Sequence, residues 1–315
     1  METPIATAAP QETADVTVVV MTRDRWPDLK VSLPHHRTRV ILVDNGSRDH
    51  TPANVREAFP QVEVLEIGRN VGAVARNLGV ARARTPYVAF ADDDSWWAPG
   101  ALAKAAAVME AHPRLGLLAG RMLVGPRQRP DSICRVMEES PLLREPDLPG
   151  PSILGFLACG AVVRREAFLA AGGFDEVVFF VGEEERLALD VAVAGWGLAY
   201  VEDVVAHHHP SIARDPAARE ARAARNRLLT AVMRRPWPVV GAATWAALSD
   251  GPAGRRALLR ALRVLPSALA ARRPLPPRWE QARRLLDRQE LARWPDPVAL
   301  AVDACSAGTS APQGQ

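Results

Sequence analysis

Tyr87-Val88-Ala89-Phe90-Ala91-Asp92-Asp93-Asp94 is a short apolar run that stops at three consecutive carboxylates. Its first five residues have the length and β-former content of a buried strand. Three like charges at a strand end repel one another unless a cation offsets them. A hard divalent ion with oxygen ligands, shared with substrate phosphates, meets that need. A solvated acidic turn, or a helix N-cap ahead of Pro99, is the other reading of the same residues.

Upstream, the same alternation recurs. Val16 to Met21, Arg39 to Val43 and Val62 to Ile67 read as strands. Trp26 to Leu33, the segment opened by Thr51-Pro52, and Val71 to Ala83 read as the helices between them, and Pro99 to Ala111 as an Ala-rich helix after the acidic triplet. Thr51-Pro52 supplies a hydroxyl cap and a first-turn proline. Such alternation predicts an α/β fold, a mostly parallel central sheet flanked by helices. Ligands of these sheets bind at the carboxyl ends of the strands, where Thr22-Arg23, Asp44-Asn45, Arg69-Asn70 and the triplet fall.

Downstream, residues 125–151 are rich in Pro and charge and read as a long loop, the kind that carries function. Ile153 to Val163 reads as a strand pair or strand-loop-strand, Arg165 to Ala171 and Glu183 to Ala194 as helices, and Leu198 to Ala206 as a strand running into His207-His208-His209. Beyond Pro210 the chain is Ala-, Arg- and Leu-rich and helical in pattern. The expected organisation is a disordered N-terminus (1–14), a catalytic domain (15–210, with a nucleotide-sugar half at about 15–124 and an acceptor half at about 125–210), a basic helical region (211–303) and a disordered tail (304–315).

The 315 residues are 48% hydrophobic and 24% charged, ordinary globular values. Cys134, Cys159 and Cys305 are too few and too scattered for a disulfide framework or a zinc site, which fits a reducing compartment. Residues 1–14 lack the apolar core of a signal peptide, and no apolar stretch is long enough to span a bilayer. The net charge of +3 conceals a division: residues 1–209 hold 21 basic and 28 acidic side chains, residues 210–296 hold 18 and 7.

Four further motifs accompany the triplet: Val43-Asp44-Asn45-Gly46-Ser47-Arg48-Asp49, Asn70-Val71-Gly72-Ala73-Val74-Ala75-Arg76-Asn77-Leu78-Gly79, Gly172-Gly173-Phe174-Asp175-Glu176, and Gly182-Glu183-Glu184 followed by Gly195-Trp196. In this order, from about Val16 to His209, the chain resembles family 2 of the inverting nucleotide-sugar glycosyltransferases, which have the GT-A fold. The resemblance implies transfer of a sugar from a nucleotide-diphosphate donor to an acceptor hydroxyl. It implies Mg²⁺ or Mn²⁺ at the triplet, with Asp94 on the metal, Asp92 near the ribose or metal and Asp93 shaping the turn. Such an ion stabilises the leaving diphosphate as a Lewis acid. Asp44 then corresponds to a base contact, against an Asx-turn role in a turn-forming sequence. Thr22, Arg23, Asn70, Gly72, Arg76 and Asn77 lie around the nucleotide, with Arg76 alternatively paired to a sheet-end carboxylate.

The resemblance puts the base that deprotonates the acceptor at Glu184, with Glu183 the runner-up. The family carries Glu-Asp where this chain has Glu183-Glu184-Glu185, and Arg186 and Asp190 reverse the charges usual downstream. Three acids also suit a helix N-terminus for its dipole alone. His207 matches a histidine metal ligand of metal-dependent members, or belongs to a surface His cluster. Trp96, Trp97 and Trp196 are a sugar platform or core. The arginines of residues 214–293 face either an anionic membrane surface, where a lipid-linked acceptor would reside, or solvent on packed helices. Nucleic acid is not expected as a partner. The location expected is cytoplasmic, either free or peripheral on the inner face of the cell membrane. A catalytically inactive nucleotide-sugar-binding protein and a nucleotidyltransferase on a similar fold are the rival readings.

Overall fold

The computed structural model describes residues 12–210 and 216–293. Most of the N-terminal segment and the whole tail after residue 293, Cys305 included, lie outside the described residues.

The first half of the chain folds as the alternation predicts. Strands β1 (Val16–Thr22), β2 (Arg39–Asp44), β3 (Glu63–Glu66) and β4 (Tyr87–Asp92) are joined by helices α1 (Trp26–Ser32), α2 (Thr51–Ala58) and α3 (Ala75–Arg82). They pair in parallel in the order β3-β2-β1-β4. β1, β2 and β4 are buried on both faces, which explains their unbroken Val, Ile, Leu and Ala runs.

The second half departs from the sequence reading in three places. Leu115–Val124, unassigned from the sequence, is the long strand β6, and Ser95–Trp97 is a short strand β5 just after the triplet; helix α4 (Ala101–Ala111) lies between them. The 125–151 segment contains a two-residue strand β7 (Arg129–Pro130) and helix α5 (Ser132–Glu138), so it is only partly loop. The strand pair expected over Ile153–Val163 is instead a buried irregular segment, a single 3₁₀ turn and one strand, β8 (Ala161–Arg164). Helices α6 (Arg165–Ala170) and α7 (Glu183–Val193) and strand β9 (Gly197–His208) follow.

These strands extend the parallel set into one curled sheet, in the order β3-β2-β1-β4-β8-β6-β9-β5 with β7 beside β6. β8 is antiparallel to β4 and β6, β9 is parallel to β6, and β5 is antiparallel to β9.

After residue 215 come α8 (Pro216–Arg234), α9 (Trp237–Ser249), α10 (Gly251–Leu262), α11 (Leu265–Ala270) and α12 (Pro277–Arg293). Their own small core includes Leu229, Val232, Met233 and Ala268, and Val178 reaches into it from the segment before α7. Among the described residues no helix is long and apolar enough to cross a membrane. Cys134 and Cys159 are buried and free.

Candidate functional site

A cleft of about 700 Å³ opens at the carboxyl ends of β1, β2 and β4. Met21, Thr22, Arg23, Asn45, Asn70, Gly72, Arg76, Asp92 and Asp93 line one side. The start of α7, the segment Phe179–Val181 and the first turns of α8 form the other, bringing Glu183, Glu184, Arg219 and Arg222 to the cavity.

Arg76 is the electrostatic centre. Its side chain is 1% exposed, between Asp92 (Nη2 to Oδ1, 2.7 Å) and Glu183 (Nη1 to Oε1, 3.4 Å). The alternative reading of Arg76, a partner of a sheet-end carboxylate, is therefore met, although the residue also reaches the cleft wall. One guanidinium beside several carboxylates favours the nearest. Asp92 has the short bond, while Glu183 keeps a long one and its Oε2 has no hydrogen-bond partner. Burial, then the neighbouring Glu184 charge, push the Glu183 carboxyl from 4.5 to about 8, against the pull of Arg76.

Glu184 lines the cleft beside it. Burial raises its pKa as well, while its own amide, Arg76 and the Ala158 amide hold it down. Glu185 turns away, to Arg283 of α12 at 2.8 Å. Arg186 and Asp190 pair with each other, and Asp190 also takes Arg234 of α8 at 2.8 Å. Asp190, one of the charges that depart from the family pattern, thus joins Glu185 in binding α7 to the C-terminal helices.

In the triplet, Asp93 accepts from Thr22 Oγ1 at 3.4 Å. Burial and the flanking Asp92 and Asp94 charges push its carboxyl well above the ordinary range. Asp94 is 4% exposed. Its backbone carbonyl accepts from the His209 amide at 2.8 Å, and its Oδ1 lies 3.3 Å from His208 Nε2.

Four residues expected at the site do not line the cleft. Asp44 is buried beneath its own turn, accepting from the Ser47 amide at 3.0 Å and from the Ser47 hydroxyl, an Asx-turn arrangement. Asn45 lines the cavity instead; it donates to the Gly72 carbonyl and accepts from the Val71 amide, tying two loops together. Asn77 grips the backbone of Phe174 through both ends of its amide (2.9 Å each). Asp94 sits behind His208. His207 stacks on Trp96 with centroids 5.7 Å apart. Directly paired residues of adjacent strands share a face, and the register sets Trp96 opposite His207 and Ser95 opposite His208. His208 is therefore the histidine that faces the cleft and Asp94, in place of the expected His207.

None of Trp96, Trp97 and Trp196 lines the cleft. Trp96 also stacks on His35, and Trp97 is buried with Nε1 donating to Phe90. Aromatic surface comes instead from Phe179 and Phe180. Phe179 and Val181 have φ of +69° and +74°, a conformation costly for bulky residues. They are held from both sides: the Ala73 amide donates to the Phe179 carbonyl at 2.6 Å, and buried Asn226 of α8 donates to the Phe180 and Val181 carbonyls at 2.8 and 2.7 Å. Gly72 permits this approach, since a Cβ there would lie 2.2 Å from the Phe179 oxygen. Sequence reading missed Asn226 and the cleft-lining Arg219 and Arg222; the concentration of arginine after residue 210 was the available signal.

A parallel sheet with acidic strand ends, facing a glutamate-led helix across a cleft, defines the class of GT-A glycosyltransferases. The family model described as Glycosyl transferase family 2 matches residues 17–170. An N-acetylglucosaminyl-diphospho-decaprenol L-rhamnosyltransferase of Mycobacterium tuberculosis is 31% identical over 241 residues, covering 64% of this chain and 78% of that one. A pre-mycofactocin glycosyltransferase of the same species is 32% identical over 215 residues, covering 66% of this chain and 45% of the relative. Among solved structures, a mannosyltransferase from Pyrobaculum calidifontis in complex with GDP-Man and Mn²⁺ is 25% identical, with a TM-score of 0.54 and coverage of 97% and 83%. The TarS 1–349 structure from S. aureus with UDP-GlcNAc, 17% identical with a TM-score of 0.52 and coverage of 69% and 66%, shares the fold. The chain belongs to glycosyl transferase family 2.

Proposed function

We propose that the protein transfers a sugar, with inversion, from a nucleotide-diphosphate sugar to a hydroxyl of a lipid-linked acceptor. The observation that carries this is Glu184, a cleft-facing carboxylate with a raised pKa, set opposite the strand ends. Inversion needs one base on the acceptor side and charge stabilisation on the donor side. Thr22, Arg23, Asn45 and Asn70 would receive the nucleotide. Glu184 would take the acceptor proton, with Arg76 and Glu183 fixing its surroundings.

Among the described residues no three carboxylate, thiolate or imidazole groups converge into a complete metal site. The Asp94–His208 pair nevertheless offers one oxygen and one nitrogen donor, which suits Mn²⁺. A nucleotide diphosphate would complete the coordination, as is usual for ions shared with substrate phosphates. When bound, Mg²⁺ or Mn²⁺ there would supply Lewis-acid stabilisation of the departing diphosphate. A lipid-linked acceptor fits the mycobacterial relative's substrate, N-acetylglucosaminyl-diphospho-decaprenol. It would also place the protein on the inner face of a membrane.

The test is donor turnover by UDP-, dTDP- and GDP-sugars with Mn²⁺ and with chelator. Metal-dependent release of nucleoside diphosphate supports the reading. Nucleotide-sugar binding without turnover under any condition refutes it and leaves a binding protein.

A further inference from the structure

A second hollow, of about 330 Å³, lies between α8, α10 and the segment that precedes α7. Phe179 and Phe180 form part of its apolar floor, and Arg222, Arg225, Arg260 and Arg263 surround it. Phe179, Phe180 and Arg222 also line the main cleft, so the two cavities share a wall.

Several arginines of the C-terminal helices are neutralised within the fold. Arg234, Arg235, Arg278, Arg283 and Arg284 each pair with a carboxylate. Among the described residues no carboxylate pairs with Arg222, Arg225, Arg260 or Arg263. Arg225 donates to the Val177 and Val178 carbonyls and to Asn226 Oδ1, none of them charged. Burial and the Arg260 charge both lower its pKa, as expected where cations crowd without a counter-ion. Arginine prefers phosphate oxygens for its planar fork. An inorganic anion would have no use for the phenylalanine floor, whereas a phosphate ester of a hydrocarbon uses both.

We infer that this hollow binds the diphosphate of an acceptor whose apolar chain lies against Phe179 and Phe180. The sugar end then reaches over the shared wall to Glu184, four residues beyond Phe180 in the chain. This deepens the transferase reading and rests on it.

The test uses the full chain as wild type, R260E/R263E and R260K/R263K. Both arginines are exposed, so neither exchange disturbs a core. Three probes are assayed with an accepted donor: a sugar diphosphate ester of a short prenyl alcohol, the alkyl glycoside of the same sugar without phosphate, and donor hydrolysis without acceptor. R260E/R263E is expected to raise KM for the diphosphate ester by about tenfold or more, a loss typical of charge-assisted contacts, and to leave the glycoside KM and donor hydrolysis unchanged. R260K/R263K should restore most of the loss. Unchanged KM for the soluble ester overturns the inference. So does an unchanged ester KM with lost sedimentation on phosphatidylglycerol vesicles, which would make the anion a bilayer headgroup. If the wild type turns over no donor at all, the transferase reading itself fails, and this site with it.

Discussion

Glu183 and Glu184 are adjacent carboxylates in one cleft, and the proposed transfer gives them different tasks. Burial and the Glu184 charge push the Glu183 carboxyl up to about 8, which favours its protonated form at pH 7. Its amide analogue, Glu183→Gln, therefore keeps the charge of the working state and should change kcat by well under tenfold, about 1.4 kcal/mol. In the proposed transfer Glu184 accepts a proton, which glutamine cannot do. Loss of a general base costs about 10²- to 10⁴-fold, or about 3–5 kcal/mol of barrier. Donor binding makes no use of that base, so the donor Kd of Glu184→Gln should match that of the wild type. The assay is nucleoside diphosphate release with acceptor and Mn²⁺ at pH 7, alongside donor titration. An E184Q protein within a few-fold of wild type, or an E183Q protein as impaired as E184Q, refutes the division of roles.

Arg76→Met should lower unfolding stability by about 1–3 kcal/mol in a denaturant titration, because it leaves half-buried Asp92 without its charged hydrogen bond. The raised pKa of Glu183 also sets a pH dependence. The native state keeps a proton that the unfolded chain releases above about 4.5, so this contribution is whole below 4.5 and is lost as pH rises through 8. Thermal midpoints across pH 5–8 should fall more steeply for wild type than for Glu183→Gln. His208→Ala should raise the Mn²⁺ concentration needed for half-maximal activity, while His207→Ala, changing only a ring stacked on Trp96, should not. Asn226→Ala removes two hydrogen bonds from a strained segment. About 1–3 kcal/mol of stability and a larger share of activity should go with it, checked by denaturation and turnover together.

The parallel half of the sheet was readable because each strand is a short run containing β-formers and ended by polar turn residues. β6 was not, for a physical reason. Leu115–Val124 is buried over most of its length, so it shows no alternation, and Gly116 and Gly120 look like strand breakers. Both are packing requirements: a Cβ at Gly116 would lie 2.6 Å from Trp196 and one at Gly120 2.4 Å from the Val204 oxygen. The Ile153–Val163 segment carries strand-like hydrophobicity because irregular chain is buried there, as Ile153, Leu154 and Phe156 show. At the site, residues that line the cleft from the ends of consecutive β-α units are legible from position alone. His208 is not, because choosing among three consecutive histidines needs the phase of β9, which only its pairing with β5 supplies. Asp44 and Asn77 were drawn to the ligand by their motifs, yet their hydrogen bonds go to Ser47 and Phe174.

Helix α7 explains why the C-terminal region belongs to the site, although the family match stops at residue 170. Residues of α7 point in different directions: Glu183 and Glu184 to the cleft, Glu185 to Arg283, Arg186 to Asp175 and Asp190, and Asp190 also to Arg234. A base is useful only within hydrogen-bond reach of the proton it removes, so the rotation and depth of α7 matter as much as its sequence. The GT-A sheet fixes the start of that helix through Arg76, and α8 and α12 fix its other faces through buried ion pairs. Such pairs add little net stability but penalise any rearrangement that would separate them. Moving α7 by even one hydrogen-bond length would break contacts on both sides at once. Arg283→Ala, at a residue that does not line the cleft, is therefore expected to lower kcat with donor affinity retained. Equal kcat in that protein, measured beside an intact fold by circular dichroism, would mean the sheet alone positions the base.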